Sequence, residues 1–152
     1  MSAPAWATPY SRGLLALNGV LYLGLGLAFA LDPVGWAAKV GLSLDAPGPV
    51  TEVRAIYGGL ELGLGVLFVL CTMRGAWLMP GVVGLLCTYG GLATLRGVSL
   101  LGAGDHGDLH PKLLAIELMG TVLSGVAVWG LGYGGGGEAP PPEDVARSTH
   151  SG

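Results

Sequence analysis

Charge is what this sequence has least of. Seven of its 152 residues are Lys or Arg and ten are Asp or Glu, 11% in all, against roughly 25% in a soluble domain. A chain so poor in ionic groups lacks the polar surface to face water on every side. Its basic residues are scattered singly and the formal net charge is −3, which argues against nucleic acid or an anionic lipid surface as the main partner. Cysteine is nearly absent. Cys71 and Cys87 both lie in apolar runs, so there is no disulfide framework and no zinc spacing, and both read as small core residues. A Gly-rich phosphate loop, a nucleophile elbow and a metalloprotease helix are missing too. The Gly-Leu pairs at residues 24–27 and 63–67 follow no strand, and are packing signals rather than a nucleotide fingerprint. No cofactor and no metal is expected from these patterns.

In place of charge the chain has apolar runs, with 51% hydrophobic residues, a mean hydropathy of +0.63 and 29 glycines without a Gly-x-y period. Glycine is tolerated in membrane helices because it lets backbones approach closely. Crossing the hydrocarbon core takes about 20 apolar residues in a helix, and four segments qualify: residues 14–31, 55–73, 76–95 and 113–133. The first and third carry no charge; the second contains Glu61 and the fourth Glu117. Asp32-Pro33 stops the first span, and the Arg74-Gly75 turn is so short that spans two and three must be antiparallel neighbours. The first span also has the outline of a secretory signal, with Arg12, an apolar stretch and an Ala28-Phe29-Ala30 triplet. A lone arginine, Asn18 and several glycines speak against cleavage.

The fold class expected is therefore all-α, an integral membrane four-helix bundle over residues 1–133. Between spans one and two, Val34, Trp36, Ala37, Val40, Leu42 and Leu44 interleave with Gly35, Lys39 and Ser43. This pattern predicts a short helix lying in the interface, with Trp36 at headgroup depth. Pro47-Gly48-Pro49 is read as its end and Thr51 as a cap for span two. Residues 97–111 are read as a Gly- and acid-rich linker, and residues 134–152 as a disordered Pro/Gly-rich tail. Trp6, Trp36, Trp77, Trp129, Tyr10 and Tyr133 fall near span ends, as an aromatic belt does.

Arg12, Arg74 and Arg147 share one side of the membrane; Lys39, Arg54, Arg96 and Lys112 share the other. The raw count leans slightly towards an external N-terminus. Arg54 and Arg96, however, sit at span boundaries where they can turn inward to carboxylates. Discounting them, with Asp105 and Asp108 on that second side, places both termini in the cytoplasm.

Ionisable residues at membrane depth cost several kcal/mol on insertion scales and so face the bundle interior with a partner. On an uninterrupted helix Arg54, Gly58, Glu61 and Gly65 form one stripe with Tyr57 at its edge, and Arg54 can reach Glu61. Span four offers Glu117, Gly120, Thr121 and Ser124 at i, i+3, i+4, i+7, span three Gly81, Gly84, Thr88 and Gly91 on one face with Arg96 just past its end, and span one Asn18 and Tyr22. The candidate cluster is Arg54, Tyr57, Glu61, Arg96 and Glu117, of net charge about zero. Its plainer meaning is a set of ion pairs holding helices in register; its functional meaning is a small polar cavity. Asp105, His106, Asp108 and His110 make a metal site on paper, but in a glycine-rich loop such groups are usually solvated.

The stretch from Glu52 to Gly65, EVRAIYGGLELGLG, resembles the signature of a family of small bacterial four-helix membrane proteins known only as a domain of unknown function. That family shows a proline and a Gly-Leu-Ser segment after span one, here Pro33 and Gly41-Leu42-Ser43. Arginine ends its third span, an Asp-Gly-type loop follows and a glutamate lies in its fourth span, here Arg96, Asp105 (followed by His106, not glycine) and Glu117. The resemblance covers residues 12–133 and implies a bacterial inner-membrane protein without a transferable activity. Size and span count are also similar to DoxX-type proteins, some of which accompany membrane redox enzymes. Three functions follow as expectations: a binder of a lipid, a small lipophilic molecule or a partner membrane protein; an enzyme or proton-linked carrier using Glu61 or Glu117; or an accessory subunit of a redox complex.

Overall fold

The computed structural model describes residues 3–102 and 107–132; the tail beyond residue 132 and the loop residues Asp105 and His106 lie outside them. Five helices account for most of the chain. These are α1 (Ala7–Leu31), α2 (Pro33–Lys39), α3 (Pro47–Met73), α4 (Gly75–Leu101) and α5 (Leu109–Gly132). All but α2 are long and apolar enough to cross a membrane. At 1.5 Å per residue each measures roughly 36–40 Å, more than the hydrocarbon core requires. Their outward faces carry Leu17, Val20, Leu27, Leu95, Met119 and Val122, all more than half exposed. Water would not tolerate so continuous an apolar surface; lipid would.

The helices outrun the apolar segments at several ends. Residues 97–101, expected in a linker, continue α4, because Val98, Leu100 and Leu101 prolong the apolar run and the Ser99 hydroxyl donates to the Leu95 carbonyl at 2.8 Å. Pro47-Gly48-Pro49 begins α3 rather than ending the helix before it. Ala46 is its extended N-terminal flank and Pro47 its first residue, where a missing N–H is no loss. Thr51 therefore lies inside the first turns and donates its hydroxyl back to the Pro47 carbonyl, an i−4 bond and not a cap. The other punctuation marks act as read. Asp32 accepts from the Gly35 N–H at 2.9 Å and caps α2, and Arg74 alone separates α3 from α4.

Two seams hold the bundle. α1 lies antiparallel along α3, and α4 along α5. In the first seam Gly19 and Gly26 of α1 face Gly65 and Gly58 of α3. A Cβ at Gly26 would stand 2.7 Å from the Leu62 backbone nitrogen and one at Gly65 2.8 Å from that of Leu23, so only glycine permits this approach. The two pairs meet over a layer of Leu15, Phe68, Cys71, Leu78, Val82, Leu85 and Ala127. Cys71 is in this core as expected, but Cys87 is exposed on α4; towards lipid, a small apolar side chain needs no cover. A second cluster, Phe29, Ala37 and Val53 with Trp36, Val40 and Leu44, seats α2 across the ends of α1 and α3. Lys39 lies over the Trp36 ring at 3.7 Å. At the opposite end Trp6 packs on Tyr10 and Trp129, and Arg74 on Trp77.

Candidate functional site

The polar residues of the interior collect on the α2 side of the apolar layer. Arg96 and Glu117 meet there across the α4–α5 seam. Arg96 Nε donates to both carboxylate oxygens, at 2.9 and 2.8 Å, and Nη2 to Oε1 at 2.7 Å. Glu117 is buried and the Arg96 side chain 24% exposed. Such a fork is the strong form of the ion pair, matching guanidinium geometry to both oxygens. The Glu117 backbone carbonyl accepts from Thr121, and further along the same stripe buried Ser124 donates to the Gly120 carbonyl. Arg96 Nη1 lies 3.2 Å from His110 Nδ1. A guanidinium only donates, so as a hydrogen bond this contact has Nδ1 as its acceptor. An open groove of about 320 Å³ runs past this end of the pair, lined by Leu92, Leu95, Arg96, Ser99, Leu100 and His110.

A second polar group reaches in from α1. Tyr89 of α4 donates its hydroxyl to Asn18 Oδ1 at 2.6 Å, and Asn18 Nδ2 donates to the Leu14 carbonyl at 2.8 Å. Tyr22, one turn along α1, packs edge-on against Phe68 and Tyr89. The sequence pattern singled out Asn18 and Tyr22 but not Tyr89 or its bond to Asn18. Its signal was available: Tyr89 stands seven residues before Arg96, on the same face of α4.

Arg54 and Glu61 do not pair. Residues Arg54–Leu60 form a π turn, which takes in one extra residue and rotates the rest of the helix by about 100° relative to a continuous α-helix. Arg54, exposed, donates Nε to the Ala30 carbonyl at 3.1 Å, satisfying a last-turn carbonyl of α1 that its own helix cannot. Tyr57 stacks on Phe29, centroids 5.2 Å apart. Glu61 is half-buried; its Oε2 is fully shielded from solvent and has no hydrogen-bond partner. Ser11 Oγ, on the far side of the apolar layer, is the other buried polar side-chain atom left so among the described residues.

Arg96 and Glu117 thus come together as expected, Tyr57 stacks on Phe29, Glu61 stands without a hydrogen-bond partner at Oε2, and Arg54 turns away. With Arg54 outside, the interior holds one basic side chain, Arg96, against two carboxyl groups, Glu61 and Glu117, and Glu117 takes up Arg96. Among the described residues no three His, Cys, Asp or Glu side chains are grouped to hold a metal ion; the loop grouping with Asp105 and His106 lies outside them.

Four apolar spanning helices around a one-sided polar interior define a small multi-pass membrane protein of the helical-bundle class. Residues 10–131 match a single family model, and the chain belongs to that family, Domain of unknown function (DUF4345). No curated protein and no solved structure matches it.

Proposed function

We propose that this protein is a membrane-embedded binding protein that holds a lipophilic molecule by its polar group, with Glu61 as the open contact. One observation carries the reading. The neighbouring polar groups have partners in the fold, Arg96 with Glu117 and Tyr89 with Asn18, whereas Glu61 Oε2 is buried and has none. Leaving such a group unsatisfied costs about 1–3 kcal/mol, and more for a charged one. A structural carboxylate would have been given a donor; Arg54, seven residues away, instead serves α1.

The layer of Leu15, Phe68, Val82 and Leu85 favours binding over transport, because it closes the polar interior before the end of the bundle remote from α2. The groove beside Arg96, with leucine walls and polar groups at Arg96, Ser99 and His110, suits an amphiphile lying at the same membrane face. In this reading Arg96, Glu117 and Tyr57 frame the site and Arg54 braces the helices. The membrane is the cytoplasmic membrane of a bacterium, with both termini in the cytoplasm. That orientation rests on Arg96, whose pairing with Glu117 removes it from the basic residues that set topology, whereas Arg54 stays exposed on the Ala30 carbonyl.

The test is native mass spectrometry of the full chain purified in mild detergent, with extraction and identification of bound small molecules. Wild type and Arg54→Ala retain a co-purifying lipophilic molecule, and Glu61→Gln loses it while eluting as a folded monodisperse species. An identical complement of bound molecules in wild type and Glu61→Gln would sink the proposal.

A further inference from the structure

Resting on the part of that reading that lays an amphiphile beside Arg96, we infer that the groove is a phospholipid site whose occupant is a zwitterionic phospholipid held by its phosphate. Glu61 has no share in it, since it is not among the lining residues. Leu92, Leu95, Arg96 and Ser99 stand at i, i+3, i+4 and i+7 and so share one face of α4, with His110 of α5 beside them. The groove of about 320 Å³ is therefore graded along about 10 Å of helix. Leu92 lies deepest, Leu95 and Arg96 follow, and Ser99 comes nearest the α2 face. Its depth is that of a headgroup boundary. Twenty-two residues, about 33 Å, separate Arg96 from Arg74 at the opposite end of α4, against about 30 Å of hydrocarbon. A bilayer phospholipid has the same order, with its phosphate at the boundary and its chains inward.

Arg96 supplies the donors. Of the five N–H groups of a guanidinium, that of Nε and one of Nη2 are spent on Glu117 and one of Nη1 on His110 Nδ1. One N–H on each terminal nitrogen remains, on a side chain that is 24% exposed and lines the groove. Such a pair matches phosphate oxygens, and charge-assisted bonds of this kind are about twice as strong as those to a neutral hydroxyl or ester. Net charge then separates the phosphates. Glu117 already balances Arg96, and the exposed Asp108 and Lys112 at the start of α5 are of opposite sign. The groove offers donors without surplus positive charge. An anionic lipid would bring an unbalanced charge against leucine walls, which is costly. A zwitterionic phospholipid carries its own ammonium.

The experiment uses the full chain in dodecyl maltoside and four probes that share parts: dimyristoylphosphatidylcholine, dimyristoylglycerol, dimyristoylphosphatidylglycerol and inorganic phosphate. Thermal unfolding midpoints are followed against probe concentration, and native mass spectrometry counts bound lipid. Phosphatidylcholine raises the wild-type midpoint with saturation at one molecule per chain. Dimyristoylglycerol and inorganic phosphate bind at least about tenfold more weakly, the equivalent of 1.4 kcal/mol, and phosphatidylglycerol binds no more tightly. Ser99→Phe fills the groove without touching the ion pair, and Arg96→Leu with Glu117→Leu removes the donors together with their partner; each weakens phosphatidylcholine binding by at least about tenfold. Should the double variant fail to fold, Ser99→Phe and the ranking on wild type decide. Equal binding of dimyristoylglycerol overturns the phosphate, equal binding of inorganic phosphate overturns the lipid, and tighter binding of phosphatidylglycerol overturns the zwitterion. Undiminished phosphatidylcholine binding in Ser99→Phe overturns the groove. Neither variant touches Glu61, so these outcomes are separate from whether Glu61→Gln sheds its co-purifying molecule.

Discussion

Replacing Gly26 by alanine tests the α1–α3 seam directly, because its neighbour Gly24 supplies an internal control. The new Cβ at position 26 meets Leu62 N at 2.7 Å, Gly58 O at 2.9 Å and Leu62 Cγ at 2.9 Å. Two of these obstacles are backbone atoms and cannot swing aside. Restoring ordinary contact at about 3.5 Å means parting the helices by most of 1 Å, and a gap of 0.5–1 Å forfeits roughly a quarter to a half of each contact's attraction. The loss spreads over the seam, since Gly19 and Gly65 are equally close, at 2.7 Å, and Gly58 follows at 3.1 Å. Overpacking of this kind costs about 1–3 kcal/mol. Alanine also favours the helix by about 0.8–1 kcal/mol over glycine, which offsets part of it. Gly24 has nothing within 4 Å of its added Cβ, so Gly24→Ala keeps the helix gain without the clash. The difference between the two variants therefore isolates the clash, at about 1–3 kcal/mol. Equilibrium unfolding in mixed micelles with increasing denaturing detergent reads it out. Equal stability of the two variants would refute the close-approach argument altogether.

The Arg96–Glu117 pair makes a second prediction. Arg96→Ala leaves Glu117 buried without its cation and destabilises by about 3–5 kcal/mol, whereas Arg96→Leu combined with Glu117→Leu restores much of the loss; a thermal-stability cycle in detergent checks both, and an Arg96→Ala protein as stable as wild type contradicts the pairing. Orientation is the third. In a background of Cys71→Ala and Cys87→Ala, a membrane-impermeant maleimide added to intact cells labels Lys112→Cys at once and Arg12→Cys only after lysis; the reverse pattern places the termini outside.

Spans and site were legible in the sequence to different depths, for a physical reason. Apolar run length sets membrane crossing almost by itself, so all four spans could be read, and Asp32-Pro33 and Arg74 marked their ends. The Glu117–Gly120–Ser124 stripe held because α5 is a regular helix, and periodicity then translates into faces. The Arg54–Glu61 stripe failed because the π turn between them breaks that translation, and no propensity in RAIYGGL announces a π turn. Pro47-Gly48-Pro49 was ambiguous, since proline both ends one helix and starts the next. The bond from Tyr89 to Asn18 joins residues 71 apart in the chain, which no local pattern encodes.

The apolar layer of Leu15, Phe68, Val82 and Leu85 has an electrical consequence. A membrane potential falls mainly across the part of a protein that excludes water and ions, and moving one charge through the whole of it is worth about 2.3 kcal/mol per 100 mV. Glu61 lies on the α2 side of that layer, with twelve residues of α3, about 18 Å, still separating it from Met73 at the far end. Fourteen residues, about 21 Å, separate it from Pro47 at the near end, so a charged group reaching Glu61 from the α2 face would cross an appreciable share of the field. On the binding reading proposed above, loading of Glu61 by a charged group would therefore depend on voltage as well as on concentration in the membrane.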